Sequence, residues 1–384
     1  NGTDALALLV AMANPLDQYF MNHPDQFFSR SHEHAIVDTH NPYIVSGHLL
    51  CAAAELPVND STDLVFFGES LPTLLADLAT HDIVRKTSRG WVYSGRGRAT
   101  EVVQLDGIPG PTFRILCKGK LLETMDRGQA FREAHKGAIM LHQGITYVVN
   151  EMDLETHTVR VSETDVDYYT QPIKEVGLSV IETIESRLIN GMNCAFGDVE
   201  VTETITGYRI KAKDTIIGVE PLMLPPLTFR TKAFWIVPPE HIGQKVCMAG
   251  RDFAGGLHGA EHAIIALMPL HVMCDRWDIG GLSSAMFGET GDPVIFVYDA
   301  YEGGIGLAEK AYKVLPALLG TAHELVRDCT CEKGCPSCIY SPKCGNDNQP
   351  LDKDATTLIL GELSHECAIP ESAPEYTESE NVLS

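Results

Sequence analysis

The 384-residue chain has no long apolar run, which excludes a membrane-spanning helix of the usual eighteen or more residues. Its first stretch, NGTDALALLVAMANPLD, has neither a basic leader nor a small-residue cleavage site, so it does not read as a secretory signal. The expected compartment is therefore reducing and cytoplasmic, and the eleven cysteines are not expected to form a disulfide framework. Basic residues are scarce. Lys and Arg number 29 against 52 Asp and Glu, a net charge of −23, which argues against a surface coated for nucleic acid. Nucleotide signatures are missing as well. There is no G-x-x-x-x-G-K-[ST], no D-E-x-H and no D-E-A-D, so nothing here cradles a triphosphate with Lys and Mg²⁺.

What is present suits an α+β, multidomain chain. The hydrophobic fraction is 44%, enough for several cores, and the length allows roughly two or three domains. The run ALALLVAMA reads as a buried strand entered partway through a domain, and the chain does not begin with Met; together these suggest that an N-terminal part is missing. NPLDQYFMNHPDQFFSR predicts a turn and a helix with Tyr19, Phe20, Phe27 and Phe28 toward a core. Residues 46–56 read as a second helix. Leu71, Leu74, Leu75 and Leu78 mark one face of a third, with Ser70 as its cap. From Thr112 to about Asp167 the pattern is mostly strand, interrupted by the short helix GQAFREAH, and a second strand-rich region covers about 176–236. Composition shifts near Pro238. Beyond it come the helix HGAEHAIIALMPLHVM, the buried strand PVIFVYDA, a long helix over 304–326 containing Pro316, a last helix DKDATTLILGELSHE and an acidic tail that reads as disordered.

Six cysteines are scattered among apolar neighbours and read as small buried hydrophobes. The other five, Cys329, Cys331, Cys335, Cys338 and Cys344, fall within one short stretch. Cys335-x2-Cys338 suits a metal knuckle, in which two thiolates reach one ion. Two further thiolates would complete a tetrahedron, and Zn²⁺ is the natural ion for four of them. The expected ligands are Cys331, Cys335, Cys338 and Cys344, with Cys329 able to replace one. Such a site has no open position and would be structural. An iron–sulfur cluster is the rival reading.

HGAEH (258–262) matches the H-x-x-E-H pattern of some zinc peptidases, with His258 and His262 one turn apart and Glu289 or Glu302 imaginable as a third ligand. Satisfied polar residues flanking a core helix explain the same pattern. Gly303, Gly304 and Gly306 before a helix suggest either a phosphate cradle or close backbone packing at a strand-to-helix turn. The window His81–Lys120 is locally basic, with eight Lys or Arg against three Asp or Glu. There Arg85 and Lys86 at a helix end, Trp91 on an aromatic strand, and Arg89, Arg96 and Arg98 nearby have the layout of a helix followed by a basic wing. Its arginines would meet phosphates, and Trp91 would stack on an unpaired base. A solvated hairpin is the plainer reading.

Three runs, GCPSCIYSPKCGNDNQPLDK, GLHGAEHAIIALMP and YDAYEGGIGLAEKAY, resemble the MrfA-type zinc-binding domain that closes a group of superfamily-two DEAD/DEAH-box DNA helicases. NPLDQYFMNHPDQFF, NPYIVSGHLLCAAAELP and HKGAIMLHQGITYVV resemble the segments between the second motor domain and that zinc domain. The resemblance covers roughly 1–366. It implies the end of a second RecA-like motor domain over 1–45, a winged-helix-like segment over 46–106, a β-rich region over 107–237, the zinc domain over 238–366 and the acidic tail over 367–384. It further implies a 3′-to-5′ translocase in DNA repair that holds single-stranded or forked DNA. ATP and Mg²⁺ enter only through a RecA-like motor supplied in cis or in trans, and H-x-x-E-H is not the zinc site. Two other readings stand beside it: a zinc metallopeptidase built on His258 and His262, and a non-enzymatic scaffold.

Overall fold

The structure, a computed structural model, describes residues 6–29, 36, 38–103, 112–213 and 215–364; the expected acidic tail lies outside them. Two short helices open it, Pro15–Asn22 (α1) and Pro24–Ser29 (α2). Asn14 caps α1, its side chain accepting from the Asp17 N–H at 2.9 Å. Tyr19 is buried and Phe20 packs beside it, whereas Phe27 and Phe28 stand out to solvent. The run before α1 is not the buried strand that its apolarity suggested. Residues 6–12 have no regular structure, and Leu6, Leu8, Leu9 and Val10 are exposed. A strand needs a neighbour for its backbone groups, and no described strand lies beside this one.

A small unit follows: Pro42–Glu55 (α3), Leu64–Phe67 (α4), Leu71–Thr80 (α5) and the hairpin of Val84–Thr87 (β1) and Gly90–Tyr93 (β2). Leu49, Leu71, Leu75 and Val84 form its core, with Leu74 at the edge. Because α3 starts at Pro42, a domain boundary at 45/46 would cut a helix. Ala99–Val102 (α6) ends the unit.

Next comes a five-stranded sheet of Phe113–Cys117 (β3), Lys120–Met125 (β4), Ile139–His142 (β5), Ile145–Asp153 (β6) and Thr158–Glu163 (β7), in the order β4-β3-β7-β6-β5. Arg127–Glu133 (α7) interrupts it as expected and buries Phe131 against Phe113.

Two 21-residue strands, Tyr169–Ile189 (β8) and Met192–Ala212 (β9), then form one long hairpin. Its turn is Asn190-Gly191, with φ of 51° and 76°, the left-handed pair that matches strand twist in a two-residue loop. β8 covers one edge of β9 along its length. The other edge is shared by Thr215–Pro221 (β10) and Leu227–Val237 (β11). β11 continues the sheet to Val294–Asp299 (β13), which pairs with Ile279–Ser284 (β12). The boundary expected at 237/238 therefore falls inside a sheet: the β-rich region and the cysteine-bearing region share backbone hydrogen bonds.

Five helices cover one face of this sheet: Glu240–Met248 (α8), Phe253–Leu267 (α9), Leu307–Lys313 (α10), Leu315–Asp328 (α11) and Lys353–Ser364 (α12). Phe234, Ile236, Ile295 and Val297 point into them. The alternate residues Ala233, Trp235, Phe296 and Tyr298 pack on the opposite face. β13 is thus buried on both faces, which is why PVIFVYDA is apolar without alternation. The helix expected over 304–326 is two, α10 and α11, because Pro316 sits in the first turn of α11 and cannot continue a helix already under way. α9 and α12 touch almost backbone to backbone. A Cβ at Gly259 would lie 2.1 Å from Thr356 Oγ1, and one at Gly256 2.6 Å from Ala355 Cβ.

The N–H groups of the glycine-rich turn after β13 are met from within the chain. Asp299, at the end of β13 and fully buried, fills it. Its carboxylate accepts the backbone N–H groups of Ile305, Gly306, Leu307 and Ala308 at 2.7–3.2 Å. The close-packing reading of these glycines is the one observed. Asp299→Ala strands all four donors, and each buried donor left unmet costs ~1–3 kcal/mol. The expected loss of unfolding free energy is at least about 3 kcal/mol by urea titration, with Asp299→Asn losing less.

Candidate metal centre and nucleic-acid surface

Helix α11 ends at Asp328, and Cys329 is its C-terminal cap. The chain then turns back through Cys331 into the knuckle Cys335–Cys338. Here the Cys338 N–H donates to Cys335 O at 3.0 Å, and the Cys335 N–H donates to Cys338 Sγ at 3.3 Å. Four sulfurs converge. The separations are 3.5 Å for Cys329–Cys331, 3.6 Å for Cys329–Cys335, 3.5 Å for Cys331–Cys338 and 3.7 Å for Cys335–Cys338. Sulfurs bound ~2.3 Å from one tetrahedral ion lie about 3.8 Å apart, so this set fits a single ion. An iron–sulfur cluster would hold its cysteines around a larger core. Burial pushes the Cys338 thiol up, so a cation at the centre is what would make it a thiolate.

The geometry corrects the expected ligand set. Cys329, not Cys344, joins Cys331, Cys335 and Cys338. Cys344 lies on the loop beyond the knuckle and faces α9 instead.

The polar residues after the knuckle tie it down. Lys353, buried at the start of α12, donates to the carbonyl oxygens of Cys329 and Cys331, each at 2.6 Å. Asn348 brackets Ser341, accepting its N–H at 2.8 Å and donating to its carbonyl at 3.1 Å. Asp347 pairs with Lys211 of β9 at 2.7 Å. Asp347, Asn348 and Lys353 lie within the run GCPSCIYSPKCGNDNQPLDK but carried no assigned role in the sequence; their signal is three polar residues at fixed offsets between a knuckle and a helix.

A second cluster sits on α9. His258, His262 and Cys344 bring their ligand atoms within 4.8 Å of one another. The two rings are 4.3 Å apart, and His258 Nε2 is 3.5 Å from Cys344 Sγ. Burial opposes charge on both partners. The hydrogen bond between them wins, lifting His258 to about 9 with help from Glu261, and lowering Cys344 to about 6 with help from His262. Glu261 accepts from Ser283 Oγ at 2.6 Å. Glu289 reaches the Val180 N–H, and Glu302 lies by Tyr43. Neither is the third neighbour of the histidines. That neighbour is the fifth clustered cysteine.

The basic residues lie differently from expectation. Arg85 and Lys86 are on β1, not at a helix end; the helix stops at Thr80. Arg89 is in the β1–β2 turn, and Arg96 and Arg98 follow β2 in the loop before α6. Arg85, Arg89 and Arg96 are exposed. Trp91 is already engaged. Its indole N–H donates to Asp60 at 3.1 Å, its backbone pairs with Val58, and Lys86 Nζ lies 5.2 Å from its ring. Lys86 is itself bonded to Asp60 at 2.8 Å. The structure brings Trp91 and Lys86 together as a strut of the hairpin rather than as an open stacking platform.

Two family models match the chain. The MrfA Zn-binding domain covers 260–339, which includes all four converging cysteines, and the winged helix domain of ATP-dependent helicase HRQ1 covers 37–99. The chain carries an MrfA-type zinc-binding domain. It is similar to the uncharacterized ATP-dependent helicase YprA of Bacillus subtilis, 31% identical over 88% of this chain and 45% of that protein. It is similar to ATP-dependent helicase HRQ1 of Saccharomyces cerevisiae, 26% identical over 93% of this chain and 35% of that protein. A crystal structure of the DUF1998 helicase MrfA bound to DNA matches 91% of this chain and 47% of its own, at 29% identity and a TM-score of 0.52. The chain thus spans between a third and a half of the length of these three helicases. No described helix is long and apolar enough to cross a membrane. The winged-helix match starts at 37, consistent with a unit that includes all of α3.

Titrating Co²⁺ into the reduced, metal-free chain is expected to give the absorption of a tetrathiolate ion. Cys329→Ser should abolish that signature and Cys344→Ser should leave it. Lys353→Met, which removes two donors from the ligand loop, should weaken the ion's binding by ~10–100-fold, the usual effect of losing an outer-shell partner.

Proposed function

We propose that this chain is the DNA-engaging region of a 3′-to-5′ ATP-dependent DNA helicase serving DNA repair, stabilised by one structural Zn²⁺ on Cys329, Cys331, Cys335 and Cys338. The observation that carries this reading is the likeness to DNA-bound MrfA across nine-tenths of the chain. The winged-helix match and the single-ion sulfur geometry support it independently. Four sulfurs leave the zinc no open position, so its role is to fold the α11–α12 connection, with binding and folding coupled. ATP and Mg²⁺ act through a RecA-like motor, in cis or in trans. Nothing in the chain has the Lys and Ser/Thr needed to hold them.

With a net charge of −23, DNA contact has to be local. The exposed arginines of the β1–β2 hairpin and the loop after it are the proposed contact, reaching phosphates of single-stranded or forked DNA. Each such contact steepens the salt dependence of binding by ~0.7–0.9 in log–log slope. The peptidase reading loses support from the geometry, because the histidines of H-x-x-E-H face a thiol and Glu261 is held by Ser283.

Anisotropy of labelled forked DNA against salt tests the proposal. The chain alone should bind modestly and show no ATP turnover. Arg89→Ala with Arg96→Ala should weaken binding irrespective of base sequence and flatten the slope by about 1.4–1.8. Unchanged affinity and slope in this variant would remove the hairpin from the interface.

A further inference from the structure

His258 and His262 lie one turn apart on α9 and face the loop that follows the four-sulfur knuckle. Each ring is fixed by its Nδ1. His258 Nδ1 lies 2.9 Å from Pro350 O, and His262 Nδ1 lies 2.7 Å from Ile339 O. A carbonyl oxygen only accepts, so each Nδ1 carries a hydrogen, and Nε2 is the nitrogen that presents a lone pair when the ring is neutral. This is the arrangement that outer-shell carbonyls impose on metal-binding histidines. Cys344 supplies the third donor, and its sulfur accepts the Asn348 N–H at 3.4 Å, as Cys338 accepts that of Cys335 in the knuckle. Three donor atoms within 4.8 Å have one thiol proton among them. That proton satisfies one imidazole lone pair, whereas a cation satisfies all three donors.

We propose that His258, His262 and Cys344 form a second metal site, separate from the four-sulfur centre, which binds a zinc-like divalent ion through two imidazole Nε2 atoms and one thiolate. The donor set of two nitrogens and one sulfur suits a borderline ion such as Zn²⁺ rather than Mg²⁺ or Ca²⁺. Three protein ligands leave one position of a tetrahedron, and these residues line a cleft of about 1180 Å³ that also contains Glu261, Lys343 and Trp277. The fourth ligand is therefore water or a small donor from the cleft. The ion pins the 341–350 loop to α9. The same loop reaches β9 through Asp347–Lys211 and Gly345–Arg209, so the site joins the helical layer, the knuckle and the long hairpin at one point.

The test is metal stoichiometry on the full chain. Apoprotein titrated with Co²⁺ should saturate at two equivalents, one with tetrathiolate absorption and one with the weaker sulfur-to-metal band of a single thiolate. Zinc content should fall from two ions to one in His262→Gln and in Cys344→Ser, with the tetrathiolate signature retained. Cys335→Ser should lose the tetrathiolate signature. Saturation of the wild-type chain at one equivalent overturns the proposal whatever the variants do, and leaves Cys344 and His258 as a bare thiol–imidazole pair. A second equivalent that survives both His262→Gln and Cys344→Ser also overturns it, by placing the ion elsewhere.

Discussion

Strand β11 lies between β9 and β13, and the architecture hangs on that position. Its residues from Leu227 to Val237 pair with β9, and its last part, Ala233 to Ile236, pairs with β13 as well. Phe234 and Ile236 anchor the helices that carry the two histidines and flank the cysteine-bearing connection; Ala233 and Trp235 close the opposite face. Loss of this pairing would expose two cores at once. It also explains why the cysteine-bearing region is not a separate bead. Its helices have no sheet to rest on except one built largely from strands earlier in the chain.

Much of the fold was legible because it is local. Leu71, Leu75 and Leu78 are spaced for one helical face and are buried together. The stretch from Thr112 to about Asp167 read as mostly strand, and turns at Lys118-Gly119 and Gln143-Gly144 divide it into short hairpins. Reading failed where distant partners decide. ALALLVAMA has a strand's composition but no described neighbour, and composition alone does not supply one. The boundary near Pro238 followed a real change from strands to helices, yet β11 just before it pairs with β13 nearly sixty residues on, which no local pattern announces. Pro316 was seen, and its consequence, a break between α10 and α11, follows from the ring alone.

The candidate site divides the same way. Cys335-x2-Cys338 is a self-contained turn and could be read directly. Choosing between Cys329 and Cys344 as the fourth sulfur depends on where α11 stops and on a histidine 86 residues before Cys344. Spacing within the cluster carries neither fact. H-x-x-E-H was legible as a motif, but its partner was hidden in plain view as the one cysteine left over. Trp91 was legible as an aromatic beside basic residues. That Asp60, 31 positions earlier, would occupy its indole N–H was not.

The β8–β9 hairpin is the longest element, and each strand spans about 70 Å at the usual rise per residue. Near its turn, Arg187 donates to Tyr312 O and Asn190 to Leu363 O, fastening it to α10 and α12. Further along, Ile205 enters the core of the five-stranded sheet, and Ile139 donates to Thr170. At the open end, Arg209 and Lys211 grip the loop that carries Cys344. A strand has no soft coordinate along its axis, since its rise is set by covalent geometry. The hairpin is thus a tie rod whose residue count meters the distance between its fastenings to the helices at the turn and to the five-stranded sheet and the Cys344 loop further along.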